Sequence, residues 1–414
     1  MIRFLSLSLL LLVSAQISLA HDLSAPAIEE LRAQGPAGLQ TLMTEYAREI
    51  NHHIANPTAA RDAQWQQISN ALDAVAQQKN SYITGLYWYT DLESAKKASA
   101  ASGKPILSLR LLGKLTDEFS CANSRFFRTV LYPNAEVNAA LRDRFVLHWQ
   151  SVRPVPTITI DFGDGRILER TLTGNSIHYI LDSHARAIDA LPGLYGPKAF
   201  LRGLANAETL FKLLAGKNDL DRNLMLPLYY NGQHSKIVAA WTVDTQKIGG
   251  KAPQGFRVEG SKGDAVSIAP LAVTKALTEF NILRAMTTAT EGLGKITDEA
   301  GWRKIAQLHS ADAVLDDRSI SLIKHQNPNL SERELAQLLQ NLQDLIALDT
   351  VRNEYLMHTK FYTMIVQDPV RDDVEKLNEQ VYAKLFLTPK SDPWLGLFST
   401  DVYTALDNGG VKKQ

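Results

Sequence analysis

"LESAKKASAASGKPILSLRLL", Leu92 to Leu112, changes its hydrophobic period partway along, and that change decides the fold class. The Ala-rich first half is made of helix formers and runs into Gly103-Lys104-Pro105. Glycine ends a helix readily and proline cannot continue one, so the spacing predicts a helix that stops there. The second half, "PILSLRLL", is a short apolar run bounded by turn residues, as a buried strand is. Downstream the alternation continues. "CANSRFFRTVL" (Cys121 to Leu131) and "NAEVNAALRDR" read as helices, and "FVLHW" reads as a strand. "TITIDFGDGRILERTLTG" carries Gly163-Asp164-Gly165 between two β-branched runs and predicts a hairpin rather than a phosphate loop, because no helix follows it. "SIHYILD", then "AIDALPG" and a helix from Pro197 to Ala215, close an α/β layer.

Outward from this layer the texture changes on both sides. From Ser24 to about Lys79 the apolar residues recur at helical spacing, Leu31, Leu39, Leu42 and Met43 first, then Trp65, Ile68, Leu72 and Val75. This is a helical prefix with no evident chemistry. His52 and His53 are adjacent, so on a helix they point about 100° apart and cannot share a metal, and they read as a surface pair. Beyond Gly216 the Gly-rich Gln246 to Asp264 reads as loops, with "KIVAAWTV" as a short strand. A long helix then opens with the capping box Ser331 to Glu334 and aligns Leu335, Leu338, Leu339, Leu342, Leu345 and Ile346 on one stripe. "DVEKLNEQVYAKLFL" is a further amphipathic helix, stopped by Pro389 and Pro393.

The expected division is therefore 1–20 signal peptide, 21–84 helical prefix, 85–216 α/β domain, and 217–414 mainly helical C-terminal domain with a loop-rich start. The leader call rests on Arg3, the apolar Phe4 to Val13, and small Ser18 and Ala20 before His21. It predicts a periplasmic or secreted protein without a membrane anchor. Lys plus Arg balance Asp plus Glu at 44 each, so no global field recruits nucleic acid or an acidic membrane. A single cysteine excludes an internal disulfide.

"WYTDLESAKKASAASGKPILSLRLLG", a cysteine at a helix start, and "SIHYILDSHARAIDALPGLYGPKAFLRGL" together resemble the thioredoxin-fold superfamily, in particular its secreted thioredoxin-like members. The resemblance covers about a third of the chain and implies a thioredoxin-like core between the helical prefix and the helical C-terminal domain. The family's Cys-x-x-Cys stands here as Cys121-Ala122-Asn123-Ser124, after the extra "GKLTDE". The cis-proline position that faces the family's sulfur falls on Ser176.

A thiol attacks as thiolate, and a helix start stabilises that anion. Arg125, one turn on, can add positive charge, and Ser124 can donate a hydrogen bond to the sulfur. Ser124 cannot resolve a mixed disulfide, since that step needs a second thiolate. A CxxS monothiol would therefore capture or isomerise cysteine-bearing protein clients. Against this stands a cysteine acting as a small buried hydrophobe among Phe119, Phe126 and Phe127. The two functional expectations follow: thiol-disulfide exchange or client capture through Cys121, Ser124, Arg125 and Ser176, or a silent thioredoxin-fold scaffold that docks a partner protein. No cofactor motif is present. The best metal pair, Glu354 and His358 at i, i+4, is half a site and reads better as a structural contact. His178 alternates with Tyr179 in a strand and reads as packed or edge-exposed rather than catalytic.

Overall fold

The computed structural model describes residues 23–56, 59–172, 174–250, 293, 297–367, 370–395, 405, 406, 408 and 411. The leader call at 1–20 and most of the loop call at 246–264 lie outside them. The architecture is mixed α/β, a four-stranded mixed sheet with helices at both ends. The prefix comprises α1 (Ala25–Ala33), α2 (Pro36–Glu45), α3 (Ala47–Ala55), α4 (Ala63–Ala76) and α5 (Ser81–Thr84). It has its own core around Leu42, Trp65, Leu72 and Val75, the residues whose spacing predicts these helices. The guanidinium of Arg32 fastens it onward, donating to the carbonyls of Val75 at 2.9 Å and Trp88 at 2.6 Å.

The period change at Leu92 to Leu112 becomes α6 (Leu92–Ser102) and β1 (Ile106–Leu112). Asp91 caps the helix by accepting from the Ser94 amide, and Gly103 ends it at φ +70°. After β1 come α7 (Ala122–Phe126), which runs into a wider turn over Phe127–Leu131, then α8 (Ala135–Arg144) and β2 (Val146–Arg153). The expected hairpin is β3 (Thr157–Asp161) with β4 (Ile167–Thr171), a separate two-stranded sheet turning on Gly163 and Gly165 at positive φ. The strands β5 (Ser176–Leu181) and β6 (Ala187–Pro192) and helix α9 (Pro197–Leu214) complete the layer.

The main sheet runs β2-β1-β5-β6, with β1 parallel to β2 and antiparallel to β5, and β5 antiparallel to β6. Every residue of β1, β5 and β6 is buried. A sheet covered on both faces reads as near-continuous apolar runs, and "ILSLRLL" is such a run, broken only by the buried Ser108 and Arg110. Alternation sends Leu109 and His178, which are register partners, to the face carrying Phe127 and Phe200. It sends Arg110 and Tyr179 to the other face, where Glu375 and Asn378 of the C-terminal helices meet them.

The C-terminal half holds α10 (Asp219–Lys247), α11 (Glu299–Leu308), α12 (Asp317–Gln326), α13 (Glu332–Arg352), α14 (Thr359–Gln367) and α15 (Val374–Gln380). The capping box at Ser331 and Glu334 is formed. "KIVAAWTV" lies inside α10, a correction to the strand reading. Ile237, Trp241 and Asp244 recur at helical spacing and turn inward, Trp241 stacking on Tyr355. Packing thereby overrides the β-branched propensity of the run. One contiguous cluster of buried side chains extends from Leu86 to Phe386, so the 85–216 layer and the helices after it share a core. No described helix is long and apolar enough to cross a membrane.

Candidate functional site

The site predicted around Cys121 is assembled by the loop that leaves β1 and returns to α7. Gly113 starts this loop at φ +74°, its amide bonded to the Arg153 carbonyl at 2.8 Å. Cys121 ends the loop, its own amide donating to the Leu112 carbonyl at 3.3 Å, and takes the N-cap position of α7. The thiol is free and wholly buried, with 0% exposure.

The other predicted residues surround it, but with other tasks than chemistry at sulfur. The Ser124 hydroxyl donates to the Cys121 carbonyl oxygen at 2.9 Å, so its proton is held by backbone. Arg125 donates to the Thr171 hydroxyl at 2.6 Å and to the Ser120 carbonyl, which pins the β3-β4 hairpin over the start of α7. Burial lowers its guanidinium from the ordinary value, with Cys121 pulling the other way. Ser176 opens β5, and its hydroxyl accepts from the Asn123 amide nitrogen at 2.9 Å. The structure thus brings Cys121, Ser124, Arg125 and Ser176 together, the last through Asn123.

Two neighbours carry no signal in the motif. Asn123 bonds both Ser176 and the Gly174 carbonyl, and is buried. Its place inside "CANS", at an inward position of a short helix, is the only hint a sequence gives. Arg128, 2% exposed, donates to the Glu118 carbonyl at 2.9 Å, while its Nε and Nη1 lack partners. Burial lowers its guanidinium as well.

Behind the thiol lies an aromatic wall. The Tyr132 hydroxyl and His178 Nε2 are 2.7 Å apart, and the Phe127 ring centroid lies 4.6 Å from that of His178. The Tyr382 hydroxyl, from the C-terminal part, donates to the Asn175 carbonyl at 3.1 Å. Burial pushes both phenols well above their ordinary range, and Cys121 adds to the shift. Of the two placements its strand position allows, packed or edge-exposed, His178 takes the packed one, and burial pushes it down to about 3.

The other candidates resolve as contacts. Glu354 and His358 lie on the wide turn Asn353–His358 that extends α13. His358 Nε2 is 3.7 Å from the Asp189 carboxylate, and burial raises Glu354 above the usual carboxylate range. Among the described residues no group of three or more His, Cys, Asp or Glu is placed to hold a metal ion. His52 is exposed as expected, but His53 is buried, a correction to the surface-pair reading: its ring stacks on Trp65 at 3.8 Å.

No protein family, curated protein or solved structure matches the chain.

Proposed function

We propose that this chain is an exported thioredoxin-like binding protein in which Cys121 is structural and the helical C-terminal part meets a partner protein. The observation that carries this reading is the thiol's 0% exposure. A thiol that a disulfide cannot reach does not exchange, and Ser124 and Arg125 are both spent on holding backbone and hairpin. Support for a thioredoxin-like core comes from the β2-β1-β5-β6 order, the cysteine after β1 at a helix start, and Ser176 opening β5 beside it. A partner contact is supported by Leu220, Leu224 and Leu228, which are 69%, 62% and 74% exposed at four-residue spacing along α10. Such a stripe suits the apolar face of a partner helix.

The contrary reading, exchange through a monothiol, draws on Arg128, a buried guanidinium with two nitrogens lacking partners on which Cys121 exerts a small upward pull against the lowering by burial. Iodoacetamide labelling of the folded protein separates the two. The scaffold reading expects no adduct until global unfolding, and no reduction of an insulin disulfide. Labelling of folded protein at the rate of a free thiol sinks it.

A further inference from the structure

The helix α10 has a buried side and a bare one. Leu226, Tyr230, Ile237 and Trp241 turn inward. The opposite side carries Leu220, Leu224 and Leu228 in its first half, then Gly232, Ser235, Ala239 and Val243 in its second, all exposed. Lys236 is the only charged side chain exposed between Leu224 and Val243. At about 1.5 Å per residue the stripe runs for about 35 Å. Bulky residues stand at one end of it and short ones at the other.

Gly232 sits in the middle of the stripe. A glycine inside a helix is less stable than an alanine and is kept where a neighbour needs the room. Here the backbone is ordinary helix, and among the described residues a Cβ would meet nothing within 4 Å. Neither backbone conformation nor packing within the fold calls for a glycine, and the room it leaves faces outward.

The stripe is complementary to itself. With α10 of a second copy laid antiparallel and crossing between Gly232 and Ser235, Leu228 faces the partner's Ala239 and Leu224 faces the partner's Val243. Gly232 then faces the partner's Ser235, and two small residues at a crossing let helices approach closely. The acidic first turn, Asp219 and Asp221, comes level with the partner's Lys247 in the last turn. Opposite charges therefore meet at both ends. Within the chain Asp219 already pairs with Arg186 and Lys247 with Asp244, so these charges set direction more than strength. A parallel arrangement would crowd leucine on leucine at one end, leave short residues facing at the other, and oppose the acidic turns.

We propose that the protein self-associates through α10 as a two-fold symmetric antiparallel pair crossing between Gly232 and Ser235. This rests on the reading of α10 as a protein contact and names a second copy as the partner.

Sedimentation equilibrium of the mature full-length protein from about 1 to about 300 µM tests it. The mass is expected to climb from monomer to dimer in the micromolar range, because one helix pair buries less than a standard interface. Leu224→Glu and Gly232→Leu are each expected to weaken the dimer about tenfold or more. Both positions are exposed, and a thermal melt of each variant checks its fold. Should one variant unfold, the other decides. Diamide, which oxidises two thiols to a disulfide, is expected to link copies of Gly232→Cys but not of Ser102→Cys, an exposed position on α6. The native Cys121 is buried and does not compete. A monomer at every concentration overturns the proposal. So does a dimer untouched by both Leu224→Glu and Gly232→Leu, or linking of Gly232→Cys no faster than of Ser102→Cys. A monomer leaves α10 to a different protein and the structural reading of Cys121 standing, whereas labelling of Cys121 in the folded protein sinks that reading and leaves the dimer.

Discussion

Arg110, in the middle of β1 and 1% exposed, donates to the carboxylate of Glu375 in α15 at 2.7 Å, across 265 positions of chain. A charge in a central strand survives only with a partner, and here the C-terminal half provides it. Gln150 of the neighbouring strand also accepts from Arg110. The pair explains why no gap in the core separates the sheet from the helices after it. Glu375→Ala leaves Arg110 with Gln150 alone. Because Glu375 is half exposed, the expected loss is about 1–2 kcal/mol rather than the roughly 3–5 kcal/mol of a fully buried pair. Urea unfolding of both proteins measures it. Arg110→Met together with Glu375→Ala is expected to recover most of that loss.

Asn123 is the joint between α7 and β5. Asn123→Ala orphans the Gly174 carbonyl and the Ser176 hydroxyl, both buried, for an expected loss of about 1–3 kcal/mol. The same change loosens the backbone beside Cys121. Iodoacetamide labelling in the variant is therefore expected to precede global unfolding, whereas in the parent it coincides with it. Labelling that stays locked to unfolding in both would show that Asn123 does not hold the thiol's cover in place.

The helix-to-strand switch at Leu92 to Leu112 was legible because a cap, a glycine stop and an apolar run all point one way. Asp91, Gly103 and β1 stand where those signals put them. "KIVAAWTV" was not legible as helix, because its β-branched residues carry strand propensity while Trp241 finds its partners Trp302 and Tyr355 far along the chain. The Cys121 neighbourhood was legible as a juxtaposition and illegible in its bonding. Nothing in Cys-Ala-Asn-Ser says that the serine turns back to a carbonyl or that Arg125 reaches out to the hairpin. The cleft between the helical prefix and α12 was invisible for a plainer reason: Met43, His53, Ile83 and His325, which line it, belong to segments that meet only in three dimensions.

Gly193 and Gly163 both have positive φ, +85° and +76°, but different surroundings. A Cβ on Gly193 would sit 2.5 Å from Asn353 Nδ2, which is itself committed to the Leu194 carbonyl at 2.7 Å. A Cβ on Gly163, at the hairpin tip, would meet nothing within 4 Å. Gly163→Ala is expected to cost about 1–2 kcal/mol for backbone strain alone. Gly193→Ala adds overpacking, for about 2–4 kcal/mol in all. Equal midpoints in urea for the two variants would contradict the close approach at Gly193.

Two buried histidines set how the protein answers acid. His148, whose Nδ1 lies 2.8 Å from the Ser108 hydroxyl, and His178 are both pushed by burial from the ordinary 6.5 down to about 3. Each binds fewer protons folded than unfolded across that interval. Stability therefore rises with pH through it, is fully present above 6.5, and drains away as pH falls toward 3. At pH 5 each ring is expected to have withdrawn about 2 kcal/mol. His178→Phe removes one titrating ring from the aromatic wall of Phe127 and Phe200. It also strands the Tyr132 hydroxyl, so its stability at pH 7.5 is expected to be lower than the parent's by about 1–3 kcal/mol. Between pH 7.5 and pH 5 the variant should lose about 2 kcal/mol less than the parent. Parallel slopes for the two proteins over that range would mean that His178 is already protonated, or solvated, in the fold.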